Sequence, residues 1–473
     1  MVVGAGPNGL AAAVALAAAG HRVVVHEAAA EIGGGTRTEE LTLPGFRHDV
    51  CSAVHPMGAG SPFFRRLGLE RHGLEWVEPP VLMAHPFDDG SAACLLRSPA
   101  ETGATLGRRD DARSWERLIA PFVRRADALM DDALAPPLRL PRHPLLMARL
   151  GWYGLNPAMT LARRTFRGES ARAFFVGIAA HTLLPMEKSP SAAFGLMLAL
   201  AGHAYGWPIA RGGSQRIAEA LAARLRELGG EIVTASEVRS LEAFADSPAI
   251  LLDVTPRQLL AIAGDRLPRF YRGDLRRYRY GAGVFKVDWA LAAPIPWIAE
   301  PCRRAGTVHL GGSAERIARS ARLAWRGEED AEPFVLLAQP SLFDPSRAPA
   351  GRHTAWAYCH VPHGSTADQS AAIERQVERF APGFGDLVLA RHTFDAAALE
   401  RHDANLVGGD INGGVQDLRQ FFLRPAPRLD PYRTPDPQLY LCSASTPPGG
   451  AVHGMCGYHA ARSALRRLGR PRR

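Results

Sequence analysis

MVVGAGPNGLAAAVALAAAGHRVVVHE, residues 1–27, reads as one strand, turn, helix and strand that end in a carboxylate. Residues 1–3 are the remainder of a buried strand, and Gly4-Ala5-Gly6-Pro7-Asn8-Gly9 is the turn. Residues 10–19, rich in Ala and Leu, favour helix. Gly20 ends that helix as a cap. Residues 21–26 return as a mostly apolar strand, and Glu27 stands about 20 residues beyond the glycines, the spacing a dinucleotide site requires. The three glycines serve separate purposes. Gly4 permits the tight turn, Gly6 lets backbone amides approach a pyrophosphate, and Gly9 lets the helix lie close on the strand. The anion would rest on the helix N-terminus beside Pro7 and Asn8, and Glu27 would accept hydrogen bonds from ribose hydroxyls. At this point NAD and FAD fit equally well. Only three residues precede Gly4, whereas strands usually have about five or six. The expectation is a short central strand or a coding start a few codons upstream.

Length and composition narrow the class. A chain of 473 residues is too long for one core and implies at least two domains. The formal charge of +9 could suggest nucleic acid, but the basic residues are nearly all Arg and run along the whole chain. A nucleic-acid surface concentrates them on one face, so none is expected. Six cysteines, at 51, 94, 302, 359, 442 and 456, include no close pair, which argues against a disulfide scaffold and for a reducing cytoplasmic setting. The longest apolar run, residues 192–202, is far shorter than the roughly 20 residues a membrane span needs.

Directly after Glu27, Gly33-Gly34-Gly35-Thr36-Arg37-Thr38 lets backbone pass close to a ligand, and Arg37 can neutralise a phosphate or hold a carbonyl. Residues 80–205 carry helical patterns such as 111–133 and a basic amphipathic stretch, 138–167, in which Leu145, Leu146, Met147, Leu150, Trp152 and Tyr153 lie among arginines. That stretch suits a helix packed on its own domain, and also a membrane-surface or apolar-substrate entrance. Gly212-Gly213-Ser214 opens an amphipathic helix followed by strands at 231–234 and 249–254, which add to a parallel sheet. Residues 283–290, 334–339 and 354–360 suggest a mostly antiparallel sheet. A strand at 439–442 and a helix at 454–468 close the chain. The expected division assigns 1–79, 206–268 and 425–473 to a nucleotide domain. It assigns 80–205 and 269–424 to a substrate domain.

Three segments together, the GAGPNG turn with Glu27, the GGGTRT loop and LYLCSASTPPGGAVHGMCGYHAA at 439–461, resemble the flavin-dependent oxidoreductases of the phytoene desaturase and amine oxidase superfamily. Within it, GGDINGG at 408–414 and residues 444–461 are similar to the branch that includes pyridine nucleotide-disulfide oxidoreductase domain-containing protein 2. The resemblance implies FAD. It also implies an α/β fold: a Rossmann-like FAD-binding domain with a glutathione-reductase-like parallel sheet, assembled from discontinuous segments, and an α+β substrate domain. By the same likeness Val238 would touch the adenine through its backbone, and Ser443 and Ser445 would stand near the ribityl chain and phosphate. Ala451, Val452 and His453 would stand at the isoalloxazine, where the start of the last helix favours the reduced, anionic flavin.

Lys286 is one of only two lysines, so a compact charge with a shiftable pKa is a sharp candidate there. The resemblance would place it near flavin N5, and the plainer reading is a salt bridge with Asp288. His55 and His203 are further candidates for the flavin's surroundings. His360 and His363 lack a third ligand, so no metal is expected. The resemblance implies hydride transfer from a small hydrophobic substrate or an amine, with oxygen, a quinone or NAD(P) as electron acceptor. Alternatives are a low-turnover FAD-binding regulatory protein and an NAD-only dehydrogenase. The localisation expected is cytoplasmic, with peripheral membrane contact left open by residues 138–167.

Overall fold

The computed structural model describes residues 1–469 and builds them around two sheets. In chain order their strands are β1 (Val2–Val3), β2 (Val24–His26), β3 (Val81–Pro86), β4 (Ala92–Leu95), β5 (Glu231–Val233), β6 (Ile250–Leu252), β7 (Gly283–Leu291), β8 (Ala305–Leu310), β9 (Val335–Ala338), β10 (His353–Val361), β11 (Val388–Phe394) and β12 (Leu439–Leu441). Five helices concern the site: α1 (Pro7–Ala18), α2 (Pro144–Gly154), α3 (Ser191–Tyr205), α4 (Gln215–Glu227) and α5 (Met455–Leu468).

The first sheet has the order β12-β6-β1-β2-β5, and every pair is parallel. Its strands are buried on both faces in the middle, which is why they read as continuous apolar runs. From β1 the chain moves through α1 to β2 on one side, while β6 lies on the other. The carboxyl edge between β1 and β6 is therefore a topological switch point, where ligands of such sheets bind. The second sheet has the order β11-β7-β10-β9-β8-β3-β4, and only the β3/β8 pair is parallel. Side-chain alternation splits β7: Phe285, Val287 and Trp289 face one core with Trp297 and Phe384, while Val284 faces a second core with Trp115, Phe174 and Phe175. Each such fully buried large side chain contributes about 2 to 3 kcal/mol of transfer free energy.

Local chemistry moves several element boundaries from their sequence expectations. α1 starts at Pro7, because Gly6 is extended and proline at the first helical position forfeits an amide that would have no intrahelical partner. Ala19 is the C-cap, and Gly20, with φ of 91°, is the residue after it. The amides of Gly20 and His21 then bond back to Ala17 and Leu16 at 2.9 and 3.2 Å, which closes the helix end. The pattern at 111–133 is two helices, Arg109–Val123 and Ala126–Ala133, because Arg125 leaves helical backbone at φ −128°, ψ 32°. α5 begins one residue late, at Met455, since Gly454 is left-handed. No helix among the described residues is long and apolar enough to cross a membrane.

Candidate functional site: a nucleotide cradle opening into an apolar chamber

Residues that follow all five strands of the parallel sheet line one cavity of about 1180 Å³. The cradle begins at the opening turn. The Gly9 amide donates to Asp253 Oδ2 at 2.7 Å, and the Ala5 amide donates to Glu27 Oε2 at 2.6 Å. Close approach is obligatory at Gly9, where a Cβ would lie 2.0 Å from the Gly4 carbonyl oxygen. It is equally so at Gly457 on α5, whose Cβ would lie 1.8 Å from the Asn8 carbonyl oxygen. α1 is thus clamped between the sheet and α5, which fixes the height of its N-terminal amides over the cavity.

The expected cofactor residues are distributed as follows. Gly4, Gly6, Pro7, Asn8, Glu27, Gly34, Gly35, Thr36, Arg37, Val238, Ser443, Ser445, Ala451, Val452 and His453 all line the cavity, and Gly9 stands behind the wall. Glu27 also accepts from the Ala29 amide at 2.9 Å, which holds its carboxyl group at the mouth of the turn. Arg37 spends its guanidinium on carbonyls, with Nε 3.2 Å from Gly34 O and Nη2 2.7 Å from His402 O. It therefore ties the glycine loop to residues 402–403. Ser445 donates its hydroxyl to Gly413 O at 3.0 Å, so that donor is committed to backbone and is not offered to a ligand. The start of α5 is not an open amide end either: His453 Nδ1 accepts from the Met455 amide at 3.1 Å. That bond places the proton of the neutral ring on Nε2, and burial pushes the His453 pKa down to about 3.

The cavity wall carries buried polar atoms without protein partners: Asn8 Oδ1, Asn405 Oδ1 and Asn412 Nδ2. Orphaned buried polar atoms are costly, so a ligand with matching donors and acceptors is called for. Together with the glycine cradle and Glu27, they fit an elongated dinucleotide such as FAD. Away from the cradle the same cavity becomes an apolar chamber walled by Met147, Leu150, Phe194, Met197, Leu336 and Trp356.

The catalytic candidates separate. His55 lines the cavity, and its Nε2 lies 2.8 Å from Ser214 Oγ. Because Ser214 donates its only hydroxyl proton to Ser52 O at 2.5 Å, His55 must donate through Nε2. Burial pushes its pKa down to about 4, so the ring is neutral near pH 7. A buried ion cluster holds this arrangement. Arg347 binds Asp49 at 2.7 Å and Asp344 at 3.0 Å, Asp49 accepts from the Ser214 amide at 2.8 Å, and Asp344 accepts from the Gly212 amide at 2.6 Å.

His203 is not at the site. It sits on α3 between Trp115 Nε1, at 3.2 Å, and Arg97 O, also at 3.2 Å, and it plugs the helical core. Lys286 is not on the cavity wall either. It shares a sheet face with Trp356 and Tyr358, which are, but its Nζ turns to Asp288 in a fully buried ion pair and stands 5.3 Å from the Trp356 ring centre. Of the two readings of this lysine, the structure places the salt bridge.

Sequence reasoning missed Asp253, Asp403, Asn405 and His181, all on the cavity wall. Asp253 had a signal: it directly follows a buried strand of the parallel sheet, the position from which such sheets reach their ligands. Asp403 and Asn405 lie in a loop far away in sequence, and nothing local marks them.

Known proteins share this architecture. The profile of the family described as "Flavin containing amine oxidoreductase" matches residues 8–264. Pyridine nucleotide-disulfide oxidoreductase domain-containing protein 2 of Rattus norvegicus is 25% identical over 544 aligned residues, covering 99% of this chain and 93% of that protein. Hydroxyneurosporene desaturase of Cereibacter sphaeroides is 33% identical over 237 residues, 47% of this chain and 46% of its own length. Among solved structures, a putrescine oxidase redesigned in its cofactor binding superposes with a TM-score of 0.63 at 18% identity, covering 99% of this chain and 98% of its own.

Proposed function

The chain belongs to the flavin containing amine oxidoreductase family and takes FAD as its cofactor, and from that premise we propose that it oxidises a neutral, apolar organic molecule held in the chamber beyond the cradle. FAD, when bound, supplies the hydride acceptor at flavin N5. The observation that carries this reading is the wall chemistry of the chamber. Five acidic side chains line the whole cavity: Glu27, Asp132, Glu237, Asp253 and Asp403. Four of them belong to the nucleotide end by their place after the strands or beside Arg37. The fifth, Asp132, is occupied by the amides of Arg142 and His143 at 2.9 and 2.8 Å. An ammonium substrate would want an uncommitted carboxylate or an aromatic cage. Trp356 and Tyr358 instead stack on each other, 5.7 Å apart at 16°. These side chains suit burial of an uncharged hydrocarbon surface, at roughly 25 cal/mol for each Å² removed from water.

His55, neutral and with its one N–H committed to Ser214, brings no charge to the cavity wall. The protein's share of the reaction is to bind, align and exclude water. Similarity to a desaturase over nearly half the chain supports a C–H bond as the point of attack, and similarity in fold to an amine oxidase does not oppose it.

An entry route follows from α2. Leu150 and Gly154 turn inwards, while Leu145 and Trp152, 87% and 78% exposed, turn outwards beside Arg142 and Arg149. Leu155, 46% exposed, also lines the cavity. An apolar stripe flanked by arginines suits contact with an anionic lipid surface that stores apolar substrates. The central test is anaerobic addition of polyenes, terpenes and amines to the holoprotein. Bleaching of the flavin absorbance by uncharged apolar compounds and not by amines is expected. Bleaching by amines alone would sink the reading. For the entry route, co-sedimentation with anionic vesicles should be lost in a Leu145→Ser, Trp152→Ser double variant that still holds flavin.

A further inference from the structure

Asp253 occupies an unusual place for an acid. It follows β6 at the switch point, is 6% exposed, and reaches under the opening turn. Its Oδ2 accepts from the Gly9 amide at 2.7 Å, and Cβ atoms built on Gly6 and on Gly9 would each lie 3.1 Å from that oxygen. Glycine at both positions spares this carboxyl group two tight contacts. Asp253 also lines the cavity, and among the described residues no hydrogen bond reaches its Oδ1. Its backbone is fixed as well, since Asn405 Nδ2 donates to Asp253 O at 2.9 Å. The side chain therefore presents one free oxygen to the space over the N-terminus of α1, where a diphosphate rests in folds of this topology.

A carboxylate and a diphosphate at one helix end compete for the same amides and repel each other. Resting on the assignment of FAD, we propose that Asp253 meets the cofactor's pyrophosphate as a neutral carboxylic acid, so that FAD binding is coupled to protonation of this side chain. Without a diphosphate, and at alkaline pH, the ionised form serves as a cap for the Gly9 amide. With one, the added proton, drawn from solvent, turns Oδ1 from a repelling acceptor into a donor towards a phosphate oxygen.

The charged surroundings agree. Glu27 approaches from the end of β2, and Asp403 from the loop that Arg37 holds through His402 O. The thiols of Cys442, after β12, and Cys456, on α5, are buried beside Asp253 and pushed up in pKa by burial, so neither supplies a counter-charge. Of the arginines that line the cavity, Arg37 has its Nε and Nη2 engaged with carbonyls. Burial first, then Asp403 and Glu27, raise the Asp253 pKa to about 8.

The test is FAD affinity against pH. Flavin-stripped protein should bind FAD about thirty-fold more weakly at pH 9.5 than at pH 7, the loss expected when only the form protonated near pH 8 binds. Asp253→Asn, neutral at every pH and able both to accept from Gly9 and to donate, should hold FAD with no such fall. Calorimetry at pH 9 in two buffers of different ionisation enthalpy should count close to one proton taken up per FAD by the wild type. A flat wild-type profile, a parallel fall in Asp253→Asn, or no proton uptake would each overturn the proposal. If the Asn variant does not fold, the wild-type proton count decides alone. Failure of the wild type to bind FAD at any pH would instead overturn the cofactor assignment.

Discussion

Replacing Arg347 with Met removes the one cation shared by two buried aspartates and keeps most of the side chain's volume. Arg347, Asp49 and Asp344 have side chains with no exposed surface. Breaking a buried pair by deleting one partner typically costs about 3 to 5 kcal/mol, because the remaining charge is left in a poor solvent. The pH dependence is the sharper part. In the wild type burial pushes the Asp49 carboxyl up, but Arg347, the Ser214 amide and Thr38 together hold it below the usual carboxylate range. Its stabilisation is therefore present above the unfolded pKa of about 3.9 and is lost as pH falls through the folded one. In Arg347→Met only the Ser214 and Thr38 hydrogen bonds oppose burial of Asp49, and the folded pKa is expected to move above the unfolded one. The folded variant then binds more protons than its unfolded chain, so its stability falls as pH rises. The gap between wild type and variant should widen from pH 5 to pH 8. Denaturant midpoints at both values measure it, and flavin fluorescence reports whether the Ser214 and His55 contacts loosen with it. A gap below about 1 kcal/mol, or equal at the two pH values, would refute this account of the cluster.

Other substitutions probe neighbouring parts of the molecule. Gly9→Ala places a methyl group 2.0 Å from the Gly4 carbonyl oxygen and should yield folded protein with little bound flavin; full flavin occupancy would count against the cradle. Lys286→Met strips a buried partner from Asp288, whose pKa burial already raises to about 6. It should lower the thermal midpoint while leaving flavin reduction by substrate nearly unchanged, and a large fall in the reduction rate would return the lysine to the chemistry. Burial depresses the pKa of His55 to about 4 and of both His181 and His453 to about 3, so the unfolded chain takes up protons that the folded chain refuses. Their contribution to stability is full above about pH 6.5 and is lost as pH falls towards 4, which acid titration of the holoprotein would follow as flavin release.

The nucleotide half of the site was legible because its demands are local. A tight turn, close helix packing and a ribose acceptor must be supplied by residues near each other in the chain, so Gly4, Gly9 and Glu27 could be read by spacing alone. Arg37 and Ser445 were legible as positions and not as partners: side chains choose between ligand and carbonyl according to what the fold brings near them, here His402 O and Gly413 O. His203 misled because glycine-rich surroundings say nothing of the Trp115 indole that occupies it. Asp403 and Asn405 were illegible for the complementary reason. They reach the cavity through a loop some 150 residues beyond the nearest strand of the parallel sheet before them, β6, and no local periodicity records such a contact.

The strand order β12-β6-β1-β2-β5 has a consequence for how the protein comes into being. β1 is synthesised long before its partners, yet it must pair with Leu251 and Leu252, and its sheet is completed only by Leu439–Leu441. Pairings so remote in sequence close large loops before any contact repays their entropy, and they form slowly. On the ribosome the opening glycine turn can fold into its helix at once, but the cradle has no floor until Asp253 emerges and no far wall until residues 443–453 do. Cofactor capture therefore waits until both have been made. Until then the apolar halves of both sheets are open to chaperones or to one another.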